Sequence, residues 1–155
     1  MKNRNALLIA ILVLAFIGIA DSWYLASHAL SGTELACGIG GYDGCNTVAQ
    51  SAYSNWFGIP LALYGVAFYI ALFALSALLF VIRDLRLLEG LRAVAVVGAA
   101  ASVVFMLIQI FLIQAICQYC VLSAIVSFLI CWLSFRLAKL DGSANPEQAV
   151  LPWGK

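Results

Sequence analysis

Charged residues divide this chain into long apolar stretches. No Asp, Glu, Lys or Arg lies between Asp43 and Arg83, or between Arg92 and Arg136. A helix needs about 20 apolar residues to cross a ~30 Å hydrocarbon layer. The second stretch holds 43 residues, about two crossings joined by a tight turn. The pattern therefore predicts an all-α, polytopic membrane protein with a four-helix bundle. We place its spans at residues 6–29, 59–82, 93–114 and 117–137.

Composition supports a membrane protein and removes several other classes. Of the 155 residues, 65% are hydrophobic and 10% charged, with a mean hydropathy of +1.06. Soluble domains are about half apolar and a quarter charged. A soluble enzyme, a disordered tail and a secreted disulfide knot are therefore excluded. The formal net charge of +1 creates no field for a polyanion, so nucleic acid is not an expected partner.

The distribution of cations predicts the orientation. With the N-terminus inside, all eight Lys and Arg residues fall on the cytoplasmic side, as the positive-inside rule requires. Both termini are then cytoplasmic, and the loop at 30–58 and the turn at 114–117 face outward. We expect one membrane domain over residues 1–140 and a flexible cytosolic tail over 141–155. A retained first helix is favoured over a cleaved signal peptide, since no A-x-A-like site precedes the loop.

Four of the five cysteines are expected on the outer side, where disulfides persist. Two lie in the outer loop and two open the fourth helix as a CxxC motif, while the last is about 16 Å deeper at helical rise. We interpret that deeper thiol as an inert core residue. In chain order the five are Cys37, Cys45, Cys117, Cys120 and Cys131.

Two cysteine pairs on one face permit dithiol–disulfide exchange between them. A helix N-terminus also favours the thiolate in a CxxC motif. Two alternatives stay open, a structural disulfide staple between Cys37 and Cys45 and a four-cysteine zinc site. A c-type haem is excluded because Val121, not His, follows the motif. Four glycines in the outer loop favour a mobile shuttle over a staple: Gly38, Gly40, Gly41 and Gly44.

Other polar and aromatic residues near the outer side have less specific patterns. Asp21 is the one acid in the first span, so a functional role and a snorkelling or capping role are both open. His28 is interpreted as an interfacial residue. An interface belt is expected from the aromatic side chains at 23, 24, 53, 56 and 119.

Taken together, these motifs resemble the vitamin K epoxide reductase family, and more closely its prokaryotic homologues. The resemblance runs from about residue 15 to residue 135. The motifs that carry it are Asp21-Ser22-Trp23-Tyr24-Leu25, Cys37-x7-Cys45, Ser51, Phe57-Gly58-Ile59-Pro60 and Cys117-x2-Cys120.

The resemblance implies a bundle that holds a quinone, ubiquinone or menaquinone, in its outer half beside the CxxC motif. It implies that Cys37 meets a partner thiol and that Cys45 then exchanges with Cys117. Cys120 is then freed as the thiolate that faces the quinone. Ser51 matches a family serine that hydrogen-bonds near the quinone and assists its reduction. By the same correspondence, the cofactor-binding residues are expected to be Cys120, Ser51, Ser54 and Phe57.

Two positions depart from the vertebrate enzymes of that family. A tyrosine of those enzymes corresponds here to Ala124, and an asparagine corresponds to Ser54. The resemblance therefore leaves open both the identity of the quinone and the reduction of an epoxide. Many members carry a fused thioredoxin-like domain. None is recognised here, so we expect a separate thioredoxin-like (DsbA-like) partner.

The sequence thus favours a plasma-membrane thiol–quinone oxidoreductase with its active site on the extracytoplasmic face. It would keep a thioredoxin-like oxidant charged for disulfide bond formation, without a metal. The alternative is a non-catalytic membrane assembly protein with a disulfide-stapled outer loop. Electron flow in the opposite direction is also compatible with the residues.

Overall fold

The computed structural model of the protein describes residues 2–37 and 44–144. Four of its helices are long and apolar enough to span a membrane, which confirms the predicted all-α polytopic bundle. The elements in chain order are α1 (Lys2–Ser31), α2 (Gly44–Ala49), β1 (Asn55–Trp56), β2 (Ile59–Pro60), α3 (Leu61–Val81), α4 (Leu85–Leu107), a π-helical segment (Ile108–Ile113) and α5 (Gln118–Ala144).

The four long helices pack around one apolar core. Helix α1 lies against α3 and α5, and α4 packs on α5 and α3. Glycines allow close approach, because a Cβ at Gly18 would collide with the Tyr69 ring and one at Gly98 with the Phe68 ring. Fully buried aliphatic residues fill the centre: Leu8, Ile11, Leu72, Leu91, Ile130 and Leu137.

The third spanning helix begins earlier than the charge pattern predicts. The expected start is residue 93, whereas α4 starts at Leu85 and runs unbroken past Arg92. Asp84 caps it, its side chain accepting a hydrogen bond from the Arg86 backbone N–H at 2.8 Å. The Arg92 guanidinium stacks on the Phe135 ring at 4.6 Å, which accommodates a cation inside the helix. A gap in charge therefore marks the apolar layer and not the helix end.

The last helix also runs beyond its expected end. The sequence predicts a span over 117–137 and a tail from 141, but α5 continues through Ala144. Asp141 near its end accepts hydrogen bonds from Arg4 Nε at 3.1 and 3.3 Å. Because Arg4 is 6% exposed, this ion pair holds the end of α5 against α1. Residues 145–155 of the expected tail lie outside the described residues.

A short hairpin precedes α3 and replaces the expected first turn of that helix. Strands β1 and β2 pair antiparallel, with Trp56 opposite Ile59. Phe57 and Gly58 between them have φ values of 51° and 77°, the pattern of a two-residue type I′ turn. Pro60 has φ −55° and ψ 132°. Because this ψ is extended and not helical, Pro60 is the N-cap residue and α3 begins at Leu61.

Candidate redox site

The outer-loop cysteines are joined as the disulfide Cys37–Cys45, with their Cα atoms 6.1 Å apart. Cys45 lies in α2 and is 2% exposed, whereas Cys37 is only half-buried. Asn46 fixes the approach of the two segments. Its side chain accepts from the Leu35 N–H at 2.8 Å and donates to the Leu35 carbonyl at 3.3 Å.

The CxxC motif opens α5, as predicted. Cys117 stands just before the helix and is 1% exposed, and Cys120 follows in the first turn. Both thiols are free, as is Cys131. Cys131 packs against the main apolar core and not against the other cysteines.

Cys45 and Cys117 belong to one buried cluster, against which Cys37 and Cys120 also pack. The backbone explains how they come together. Gly44 lies directly on the Ile116 carbonyl, and a Cβ at position 44 would collide with that oxygen. Gly44 directly precedes Cys45 and Ile116 directly precedes Cys117, so this contact brings the backbones of the two cysteines together. Gly44 therefore serves close packing and not the loop mobility inferred from the sequence, while Gly38, Gly40 and Gly41 lie outside the described residues.

Two tyrosines hold the loop next to Cys37. Tyr24 of α1 and Tyr119 of α5 are in ring contact, with centroids 5.1 Å apart. The Tyr119 hydroxyl donates to the Ala36 carbonyl at 3.0 Å, and the Ala36 N–H donates to the Tyr24 oxygen at 3.4 Å. These side chains position the loop, whereas the sequence pattern placed them in an interface belt. Trp23, by contrast, is exposed.

Gln109 is a site residue that the sequence did not reveal. It lies in the π-helical segment and is 3% exposed. Its Oε1 accepts a hydrogen bond from the Cys117 backbone N–H at 2.9 Å. This bond ties the π-helical segment to the first cysteine of the CxxC motif. π-Helical turns are frequent at functional sites, but an apolar sequence does not distinguish one from an α-helix.

The Cys117 thiol is more acidic than an ordinary cysteine. A hydrogen bond from the Cys120 side chain lowers its pKa to about 7, aided by the backbone N–H groups of Cys120 and Tyr119, although burial opposes the shift. These N–H groups are the unpaired donors at the start of α5. The arrangement is the one expected for a nucleophilic or leaving-group cysteine at a helix N-terminus.

A cavity of about 380 Å³ lies inside the bundle beside these cysteines. Cys45, Cys117 and Cys120 line it, together with Ser51 and Ser54. Its volume is within the range of small-molecule sites, about 300–1,000 Å³. Much of the remaining wall is apolar and includes Leu25, Val48, Phe68, Phe105 and Met106.

Three of the four expected quinone-contacting residues line the cavity, namely Cys120, Ser51 and Ser54, whereas Phe57 does not. Ser51 and Ser54 line the cavity, with their hydroxyls donating to the Val48 and Ser51 carbonyls at 2.7 and 2.8 Å. Phe57 stands at the hairpin tip with its side chain 94% exposed, away from the cavity. The positive φ of the type I′ turn directs it there, a conformation the sequence did not predict.

Asp21 is buried in the bundle. It is 8% exposed, and among the described residues neither carboxylate oxygen has a hydrogen-bond partner. It therefore neither snorkels nor caps a helix. Tyr24 and Leu25, one turn further along α1, pack against the cysteine cluster.

Comparison with known proteins now decides the family. Residues 9–135 match the sequence model of the Vitamin K epoxide reductase family. The chain belongs to this family. A similar curated protein is the Thiol-disulfide oxidoreductase LTO1 of Arabidopsis thaliana, which is 34% identical over 128 residues. That alignment covers 78% of this chain and 34% of LTO1, so the chain spans about a third of the length of this relative.

The match to the Vitamin K epoxide reductase family confirms the resemblance carried by the sequence motifs. Its matched range begins in α1 and ends in α5, and so includes both cysteine pairs and the cavity. Within residues 2–37 and 44–144, no group of three or more His, Cys, Asp or Glu side chains is arranged to hold a metal ion.

Proposed function

We propose that this protein is a membrane thiol–quinone oxidoreductase that moves electron pairs from a dithiol partner to a quinone. The single observation that carries the proposal is that Cys45 and Cys117 are buried in one cluster, beside a cavity that both of them and Cys120 line. A donor pair, an acceptor pair and a small-molecule cavity are thereby continuous. Membership of a family containing a thiol–disulfide oxidoreductase supports this chemistry.

Electrons enter at the loop pair. A partner thiolate attacks Cys37 Sγ, and the S–S bond to Cys45 breaks with Cys45 leaving as the thiolate. The partner's second thiolate then displaces Cys37, so the partner is oxidised and the loop pair holds two more electrons. Cys37 is the accessible sulfur because it is half-buried, whereas Cys45 is 2% exposed.

The relay between the pairs is a second exchange. Cys45 attacks Cys117 Sγ in the Cys117–Cys120 disulfide and releases the Cys120 thiolate. Cys37 then attacks Cys45, the loop disulfide reforms and Cys117 leaves as a thiolate. A pKa of about 7 makes Cys117 a good leaving group for this last step. The bonded loop pair and free CxxC thiols of the structure match the product of this relay.

The cavity is where the pair of electrons leaves the protein. Its volume, its apolar wall and its contact with Cys120 fit the ring of a quinone. A quinone bound there supplies a two-electron, two-proton acceptor. Cys117 and Cys120 form their disulfide as the electrons leave. The Ser51 hydroxyl donates to the Val48 carbonyl, so its side chain must rotate before it can donate to a ligand in the cavity.

We further propose a plasma-membrane location with the cysteines on the extracytoplasmic face. The start of α1, the α3–α4 connection and the end of α5 lie at the bundle end opposite the CxxC motif. Cations concentrate at that end, which the positive-inside rule assigns to the cytoplasm. They include Arg4, Arg83, Arg86, Arg92, Arg136 and Lys139.

Reduction of the loop disulfide by a dithiol donor tests the proposal against a structural staple. In the Cys117→Ala/Cys120→Ala variant, a reduced thioredoxin-like protein should open Cys37–Cys45. Mass spectrometry after alkylation would then show two more labelled thiols than in the untreated variant, with Cys131 as the common background. A disulfide that resists the donor in folded protein would favour the non-catalytic assembly protein.

A trapping experiment tests which sulfur meets the partner. A thioredoxin-like protein that keeps one active-site cysteine, activated as its thionitrobenzoate disulfide, is mixed with Cys45→Ala or Cys37→Ala protein. Both proteins also carry Cys117→Ala, Cys120→Ala and Cys131→Ala, because these three thiols are otherwise free to react with the probe. We expect the mixed disulfide to form with Cys37 at least about tenfold faster than with the buried Cys45. Equal rates would remove the assigned role of Cys37.

A further inference from the structure

Three hydroxyl groups meet in the wall of the cavity, away from the loop disulfide. The Tyr69 hydroxyl of α3 donates to the Ser123 carbonyl of α5 at 2.8 Å. It also lies 2.8 Å from Ser123 Oγ and 3.3 Å from Ser127 Oγ. All three side chains line the cavity. We call them the hydroxyl cluster.

The fold holds the Tyr69 phenol rigidly in this position. The residue is 1% exposed, and its ring lies over Gly18 of α1, where a Cβ would collide with it. The Phe68 ring packs edge-on at a centroid distance of 4.9 Å. A preorganised polar group in an apolar wall is typical of a small-molecule site.

The hydroxyl cluster has a proton to spare, unlike Ser51 and Ser102 of the cavity wall. Ser51 and Ser102 each donate to a carbonyl of their own local backbone. The hydroxyl cluster carries three O–H protons, and one is used by the Ser123 carbonyl. A serine proton can bond the Tyr69 oxygen, and the remaining one is free to bond a ligand. The 3.3 Å contact of Ser127 is the longest and the easiest to give up.

The hydroxyl cluster is placed at a useful distance from Cys120. Positions 120, 123 and 127 lie on one face of α5, and all three line the cavity. At 1.5 Å per residue, Ser123 is ~4.5 Å and Ser127 ~10.5 Å along the axis from Cys120. The two carbonyl oxygens of a para-quinone lie across one ring, a separation close to one helical turn of ~5.4 Å. A contact with Cys120 at one end and a hydrogen bond of ~2.8 Å to Ser127 at the other span the rest of the ~10.5 Å. Ala124 between them adds only a methyl group to the wall.

We propose that the hydroxyl cluster binds one carbonyl oxygen of a para-quinone whose other carbonyl lies beside Cys120. The proposal rests on the proposed function and specifies its ligand class as a quinone with carbonyls on opposite sides of the ring. Donation comes from the Tyr69–Ser127 side of the cluster. This hydrogen bond fixes the orientation of the quinone ring in the cavity, so that the other carbonyl stays beside Cys120.

Binding and infrared spectra of four proteins test this assignment. Wild type, Tyr69→Phe, Ser127→Ala and Ser76→Ala are reconstituted in lipid nanodiscs and titrated with a short-chain ubiquinone and with menadione. Ser76 is a matched control, since it is a buried α3 serine that bonds its own helix at the Leu72 carbonyl and does not line the cavity. Tryptophan fluorescence quenching gives the Kd. Carbonyl ¹³C-labelled quinone gives the C=O stretching bands of the bound ring.

We expect Kd and KM to rise about three- to tenfold in Tyr69→Phe and Ser127→Ala, the effect of one lost hydrogen bond. The kcat should change less, since ground-state binding is lost. One carbonyl band, shifted down in the wild type, should move back toward the free value in these variants and not in Ser76→Ala.

Unchanged Kd and carbonyl bands in both variants, while the wild type still reduces quinone, would overturn the hydroxyl cluster's role alone. A wild type that neither binds nor reduces either quinone would overturn the proposed function together with this inference. Donor-dependent reduction of the CxxC motif, measured in each variant, verifies folding. Ser127→Ala removes a single hydroxyl oxygen. If Tyr69→Phe fails to fold, the Ser127→Ala variant alone still tests the proposal.

Discussion

Cys117 is the residue at which the contacts that stabilise a thiolate converge. Its sulfur receives a hydrogen bond from Cys120, and the first N–H groups of α5 point toward it. Its own backbone N–H is held by Gln109 Oε1. Contacts of this kind favour a sulfur that accepts and releases a disulfide partner readily, as a relay between two pairs requires.

The acidity of Cys117 gives a direct pH prediction. In Cys131→Ala protein with the loop disulfide intact, thiolate absorbance should show a first midpoint near the pKa of about 7. The thiol predominates below that pH and the thiolate above it. Cys120→Ala removes the largest cause of the shift, so the midpoint should rise toward the ordinary value of 9.0. An unchanged midpoint in Cys120→Ala would contradict this explanation.

Gln109 should matter for stability as well as for chemistry. Gln109→Leu leaves the buried Cys117 N–H without an acceptor, which costs about 1–3 kcal/mol. The thermal midpoint in detergent should fall by several degrees. Gln109→Glu keeps an acceptor oxygen and should recover much of the loss. Equal midpoints for wild type and Gln109→Leu would show that this hydrogen bond is not stabilising.

At the scale of single residues, the sequence predicts which side chains can carry out redox chemistry but not which residues they contact in the fold. The cysteines are recognisable because their side chains are distinctive and their spacing is specific. Gln109 and Tyr69 are single polar residues within apolar stretches, and their roles depend on which helix lies opposite. For Phe57 the motif predicted a contact with the quinone. In the structure this residue has a positive φ and its side chain is exposed.

At the scale of elements, the junction between α2 and the start of α5 controls the relay. Gly44 on the Ile116 carbonyl sets how closely the following residues, Cys45 and Cys117, approach. The sequence could not predict this contact, because the glycines of the loop have the same pattern whether they pack or move. Three of the four spans were predictable from charge gaps, and the first from its apolar run, which contains Asp21. Their ends were not, since Arg92 is accommodated inside α4 by an aromatic ring.

Gly44→Ala should therefore slow the exchange between the pairs. A methyl group here must displace α2 from Ile116, and misplacing reacting atoms by ~1 Å costs on the order of 10²-fold in rate. The measurement is the rate at which an added small-molecule disulfide oxidises Cys45 and Cys117 to their mutual disulfide, being itself reduced to two thiols, in Cys37→Ala/Cys120→Ala/Cys131→Ala protein. Gly90→Ala is the control, because a Cβ there meets nothing within 4 Å. Equal rates with and without Gly44→Ala would contradict the role of this contact.

At the scale of the whole molecule, the bundle end opposite the cysteines is closed by Arg4. Its guanidinium bonds Asp141 of α5 and donates to the Leu79 carbonyl of α3 at 2.8 Å. One side chain thus joins three helices that also carry site residues: Tyr24 on α1, Tyr69 on α3 and Cys120 on α5.

Arg4→Ala should destabilise the bundle without changing the site directly. Removing one partner of a largely buried charge-assisted pair costs about 2–3 kcal/mol. The thermal midpoint should fall, whereas Arg83→Ala, at an exposed cation, should leave it unchanged. If both variants have the same thermal midpoint as the wild type, the ion pair makes no measurable contribution to the stability of the bundle.

The central claim is that electrons pass from a dithiol through two cysteine pairs to a quinone. The most direct measurement follows the absorbance of ubiquinone and of menaquinone in the presence of a reduced thioredoxin-like donor. Wild-type protein should reduce at least one quinone. Cys120→Ala should reduce neither, although the donor still opens Cys37–Cys45. Quinone reduction by Cys120→Ala, or none by folded wild type, would contradict the account.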